Sequence, residues 1–132
     1  MFRYLWASPA SAIGLLLAAL TGSLRGASLV TGVIEIHGPG LRWFLTHGAF
    51  VRDVSAITFG HVVLGSDVEA LQWTRAHERV HVRQYERWGL FFIPAYLVAS
   101  LWAAATGRHA YYDNYFEHEA YGSAEVTPRL SL

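Results

Sequence analysis

Cysteine is absent from the 132 residues. Disulfides and thiolate ligands are therefore excluded, and any metal must be held by histidine and carboxylate, a donor set that suits zinc. Lysine is absent as well, so all 10 basic residues are arginine. They balance 10 acidic residues, and with a pI near 7.1 no global field draws the chain toward nucleic acid. No internal repeat, low-complexity tract or linker divides the sequence, whose length suits a single modest core. What is plentiful is apolar surface. Hydrophobic residues make up 53% and mean hydropathy is +0.25, values that point to membrane association or to unusually buried helices.

Two uncharged stretches carry that surplus. Tyr4 to Leu24, between Arg3 and Arg25, is about the length needed to span a bilayer. Pro9, Gly14 and Thr21 interrupt it and leave a shorter apolar heart, Ala12 to Leu20. Residues 1–25 are expected to form an apolar helix that anchors in a membrane or lies on one. The alternatives are a core helix and a cleaved signal, though one arginine is a thin n-region and no clear small-x-small site follows. The expected location is membrane-associated, with soluble cytoplasmic as the alternative. The second uncharged stretch is Trp88 to Gly107.

Between and beyond these stretches the pattern alternates. Ser28 to His37 reads as a strand, with Val33, Ile34 and Ile36 around Glu35, closed by the turn Gly38-Pro39-Gly40. Leu41 to Leu45 reads as a short strand or a helical turn, followed by a loop through His47-Gly48. Ala56 to Leu64 reads as a strand ended by Gly65. Ser66 and Asp67 are candidate N-caps for a helix from Val68 to Trp88, where Gly89 stops it. A second apolar helix is expected over Leu90 to Ala105. Asp113 or Asn114 should cap a third, running to about Ala124, with a frayed tail from Thr127.

The chemistry lies in His77-Glu78-Arg79-Val80-His81, the pattern H-E-x-x-H. On a helix two histidines four residues apart share a face and can grip one ion, while the glutamate between them can take a proton from a metal-bound water. At about 100° per residue, Ala70, Trp73, His77, Val80, His81, Gln84 and Trp88 fall on one expected core-facing stripe. Arg75, Arg79, Arg83 and Arg87 fall opposite, toward solvent or lipid headgroups. Two imidazoles on a buried face need partners, and a shared metal supplies one to each; backbone carbonyls are the alternative.

A catalytic zinc usually takes three protein ligands and leaves a position for water. Downstream stands Phe116-Glu117-His118-Glu119-Ala120-Tyr121. With the motif helix, this resembles the HExxH metallopeptidases, specifically the glutamate-zincin branch, whose third ligand is a glutamate opening a segment like F-E-x-x-A-D. Tyr121 stands where that pattern has an aspartate, which usually orients a liganding histidine. The resemblance spans about Ala56 to Ala124. It implies zinc held by His77, His81 and Glu117, with Glu78 as general base. It also implies hydrolysis of a peptide or protein substrate held by β-addition to the edge strand before the motif helix. Glu119 is the alternative third ligand; the two cannot both face the ion, because two helical residues differ by about 200°. His37, His47, His61, His109 and His118 have weaker claims, though His109 or the Tyr111-Tyr112 pair could stabilise an oxyanion.

The expected fold is α+β: a small antiparallel sheet packed on a three-helix zincin-like core over residues 26–132, with the apolar N-terminal helix added. Trp88 to Gly107 should not cross a bilayer, because a crossing would place Glu117 about 30 Å from His81. The helix from Leu90 should instead double back. The rival readings are a non-catalytic metal-binding subunit of a membrane complex and a metal-free membrane hairpin. A membrane surface or membrane protein is a candidate partner in each case.

Overall fold

The computed structural model describes residues 2–47 and 55–123. The loop beyond His47, the expected helix end at Ala124 and the tail from Thr127 lie outside them. The fold is α+β. Helix α1 (Phe2–Leu20) leads into strands β1 (Ala27–Val30) and β2 (Val33–His37), then helix α2 (Pro39–His47) and strands β3 (Ala56–Phe59) and β4 (Val62–Gly65). Helices α3 (Val68–Trp88), α4 (Phe92–Ala105) and α5 (Tyr115–Ser123) complete it, with a 3-10 turn at Gly89–Phe91 joining α3 to α4.

Both expected strands are hairpins. Ser28 to His37 breaks at Thr31 and Gly32, whose φ angles of 47° and 79° are the left-handed pair that a two-residue hairpin turn requires. Ala56 to Leu64 breaks at Gly60, with φ 62°, and His61. The segment around Leu41 is helical, with Pro39 at the first position, where a missing N–H costs nothing.

The sheet has the order β1-β2-β4-β3 and is mixed, which corrects the antiparallel expectation. β1–β2 and β3–β4 pair antiparallel, but β2 and β4 pair in parallel, Ile34 opposite Val62 and Ile36 opposite Leu64. β3 starts level with the end of β2, Ala56 and His37 both lying opposite Gly65, and runs back antiparallel, so β4 enters beside β2 in the same direction. One face, with Ile36, Val62 and Leu64, buries against Ala18 of α1 and Leu41 of α2. The other, with Val33, Ala56 and Val63, buries against Leu71 and Val82 of α3. Burying each large aliphatic side chain contributes about 1.5–3 kcal/mol. The sheet thus lies between α1 and α2 on one side and the motif helix on the other.

By length and composition Val68–Ala105, 38 residues, could cross a membrane as one helix. It does not run straight. Gly89, at φ 60°, breaks it, and α4 returns so that the rings of Tyr96 and His81 lie 6.3 Å apart. A straight helix would separate them by about 22 Å.

Candidate metal centre

The motif helix is positioned by its start. Asp67 is the cap, its carboxylate accepting from Ala70 N at 2.7 Å. From there α3 buries two stripes rather than one. Leu71, Glu78 and Val82 face the sheet side, while His77, His81, Gln84 and Tyr85 face α4 and α5. That corrects the arginine assignment. Arg75 sits only about 40° from Leu71 on the helix, and it donates two bonds to the buried Glu35 of β2, at 2.9 and 2.8 Å. Arg79 binds the carbonyls of Val30 and Thr31 in the first hairpin turn. Arg83 is exposed, and Arg87 pairs with Glu119. Trp73 and Trp88, expected in the core, are exposed.

His77, His81 and Glu117 are brought together. Glu117 Oε1 lies 2.9 Å from His77 Nε2 and 3.2 Å from His81 Nε2, and all three residues are buried. Zinc bonds of about 2.0–2.1 Å imply donor separations near 3.3 Å across a tetrahedral site, so these three atoms stand close to the edges of one coordination shell. Glu119 points elsewhere, accepting from Gln84 Nε2 and Arg87. Glu78 is buried alongside, and the donor atoms of His77, Glu78 and His81 all lie within 4.8 Å of one another. Its Oε2 and the Nδ1 of His77 have no hydrogen-bond partner among the described residues.

The supporting bonds are specific. His81 Nδ1–H donates to Gln84 Oε1 at 2.8 Å, which leaves Nε2 as the lone-pair donor to a metal. Gln84 Nε2 in turn holds the Phe116 carbonyl at 3.1 Å. The Tyr96 hydroxyl donates to Glu117 Oε2. Asn114 caps α5, accepting from Phe116 N at 2.8 Å, and ties α5 to α4 through the Tyr96 carbonyl and Ser100 Oγ. Glu117 is therefore fixed from both of its neighbouring helices. Gln84 was findable, three residues after His81 on the same face. Tyr96 carried no sequence signal, because its role depends on α4 turning back.

Burial dominates the Glu78 carboxyl and lifts it to about 7, against the opposing pull of His81 and His77. Burial alone would lower His81, but the Glu117 carboxylate, by charge and hydrogen bond, raises it to about 9. Burial would raise Glu117, yet the His81 charge and the bonds to both imidazoles hold it well below the usual carboxylate range.

The other histidines lie outside this cluster. His61 pairs with Glu86 at 2.7 Å, His109 Nδ1 accepts from Tyr111 N and Tyr112 N, and His47 bonds the Trp43 carbonyl. His118 faces Asp113 at 3.7 Å, and His37 ends β2. Tyr111 turns its hydroxyl toward that of Tyr121.

Tyr121 itself packs its ring 4.4 Å from that of His77, at the position where the resembled pattern has an aspartate. The unpartnered Nδ1 of His77 marks what that substitution removes. Tyr121→Asp should supply an acceptor there and raise zinc affinity by about tenfold, the lower end of what such supporting bonds are worth. Competition titration against a zinc chelator measures it; unchanged or weaker binding would show that His77 is already oriented by other means.

No protein family, curated protein or solved structure matches this chain. Its α+β fold and buried His-Glu-His cluster are therefore read on their own chemistry.

Proposed function

We propose that the chain is a minimal zinc-dependent hydrolase of the HExxH type, resembling the glutamate-zincin metallopeptidases and acting on peptide bonds. The observation that carries this reading is the meeting of His77, His81 and Glu117 beside a buried glutamate whose Oε2 has no partner among the described residues. His77, His81 and Glu117 would hold a zinc ion, which would supply Lewis acidity toward a water and a substrate carbonyl. Glu78 takes the proton of the attacking water and passes it to the leaving amine. Gln84 and Tyr96 keep His81 and Glu117 in register.

Two further features support a peptide substrate. β3 is an edge strand among the described residues, packed on the motif helix with Thr58 Oγ1 reaching the Glu78 carbonyl at 3.5 Å, and an outer edge of this kind can take an extended chain. A pocket of about 280 Å³ between Ser55, Trp73 and Thr74 opens one helical turn before the site.

The second reading is a closed, structural metal site in a membrane-associated subunit, favoured by the burial of all four groups. Zinc-loaded native protein incubated with a library of unstructured peptides separates the two. Cleavage that Glu78→Gln abolishes supports the hydrolase. Stoichiometric zinc without cleavage supports the structural site.

A further inference from the structure

The two apolar helices bury small residues and expose most of their large ones, Phe92 of α4 being the buried exception. On α1, Ala7, Ala10 and Ala18 are 0% exposed, whereas Phe2 is 74%, Leu5 72% and Leu20 73% exposed. Its small residues let it lie close on the sheet: a Cβ on Gly14 would stand 3.0 Å from Phe59 and Val62. On α4, Ala103 is 0% and Ser100 3% exposed, whereas Leu101 is 67% and Trp102 66%. A helix facing water buries its large apolar residues and exposes its small ones. The reverse arrangement, with small residues inward and large aliphatics outward, is how helices pack when the surroundings are hydrocarbon.

We propose that the outer faces of α1 and α4 form one docking surface for the apolar interior of a single bilayer leaflet. The faces are joined: Trp6 stacks on Phe2 and approaches Phe91 of the Gly89–Phe91 turn, both at 6.3 Å between centroids. Charge complements this occupant. Neither Tyr4 to Leu24 nor Trp88 to Gly107 holds a charged residue. The exposed Arg25 and Arg108 stand just beyond the ends of these stretches, where anionic headgroups would lie. Trp102 and the exposed Tyr115 add amphipathic rings suited to that depth.

Attachment is lateral rather than spanning. α1 is held along its length, with Ser11 Oγ accepting from His61 N at 2.9 Å and Trp6 Nε1 donating to the Arg87 carbonyl. Ser100 of α4 is held by Asn114. Neither helix can turn upright without leaving the core. This surface is independent of the metal reading, since its residues hold no ligand.

The test is flotation of the full chain with vesicles of phosphatidylcholine and phosphatidylglycerol, in low salt and in 0.5 M salt (about a 4-Å Debye length). The native chain should float in both. Leu5→Glu/Leu16→Glu and Val98→Glu/Leu101→Glu should each lower the bound fraction at least tenfold while keeping native circular dichroism and thermal melting. Binding lost in high salt would mean headgroup attraction alone and would overturn insertion. Loss with only one of the pairs would overturn the joint surface. A lipid-free dimer that Val98→Glu/Leu101→Glu dissociates, with no vesicle binding, would make the face a self-interface and overturn the proposal. A variant that loses its circular dichroism is replaced by bromolipid quenching of native tryptophan fluorescence, where absence of quenching has the same force.

Discussion

Glu78→Gln protein should bind zinc as the native chain does and hydrolyse peptides about a hundred- to ten-thousandfold more slowly, the usual worth of a general base. The substitution keeps the size of the side chain and removes no proposed ligand. It replaces a carboxyl that burial has lifted to about 7 with an amide that cannot accept a proton at any working pH. The native carboxyl has an Oε2 unpartnered among the described residues and lies in the same cluster as the two imidazoles. Turnover under saturating substrate and metal content by mass spectrometry are read on the same sample. Loss of zinc together with activity would make Glu78 a ligand or a ligand's support, and the proton-transfer role would fall.

Glu117→Ala should affect both metal and stability. Glu117 Oε1 is the group on which His77 Nε2 and His81 Nε2 converge, and its second oxygen receives the Tyr96 hydroxyl. Truncation removes a donor from the site and strands two buried imidazoles and the half-buried Tyr96 hydroxyl at once. Removing one partner of a buried ion pair costs about 3–5 kcal/mol, a large fraction of the stability of a chain this size. Zinc affinity should fall by more than the about 10–100-fold that attends loss of a ligand's supporting bond. Denaturant titration in chelator gives the first quantity and metal titration the second. Glu119→Ala is the control: it loses bonds to Gln84 and Arg87 but no donor at the site, and should keep stoichiometric zinc. Equal behaviour of the two variants would contradict the choice of Glu117.

The local signals in the sequence were sound where local physics decides. The bounds of α3 follow from the Asp67 cap and the Gly89 stop, and the histidine pair follows from helical periodicity. The choice between Glu117 and Glu119 needed the phase of α5, which Asn114 sets by capping it and tying it to α4. The hairpins read as continuous strands because β-branched or aromatic residues flank Thr31-Gly32 and Gly60-His61 on both sides, and a two-residue turn hardly interrupts such a run. Parallel pairing of β2 with β4 is not legible, since it depends on which strand of the second hairpin docks beside β2. The arginine stripe was misassigned because α3 was given one buried face. It has two, and Arg75 and Arg79 border the second, where Glu35 and the first hairpin turn satisfy them.

These relations all centre on one claim, that the His77-His81-Glu117 cluster holds a divalent metal. Metal analysis of the purified full chain, native and His77→Ala, tests it most directly. Native protein should hold one equivalent of zinc, and the variant should lose it stoichiometrically. Retention of a full equivalent by His77→Ala, or a native chain that takes up no divalent metal, would contradict it.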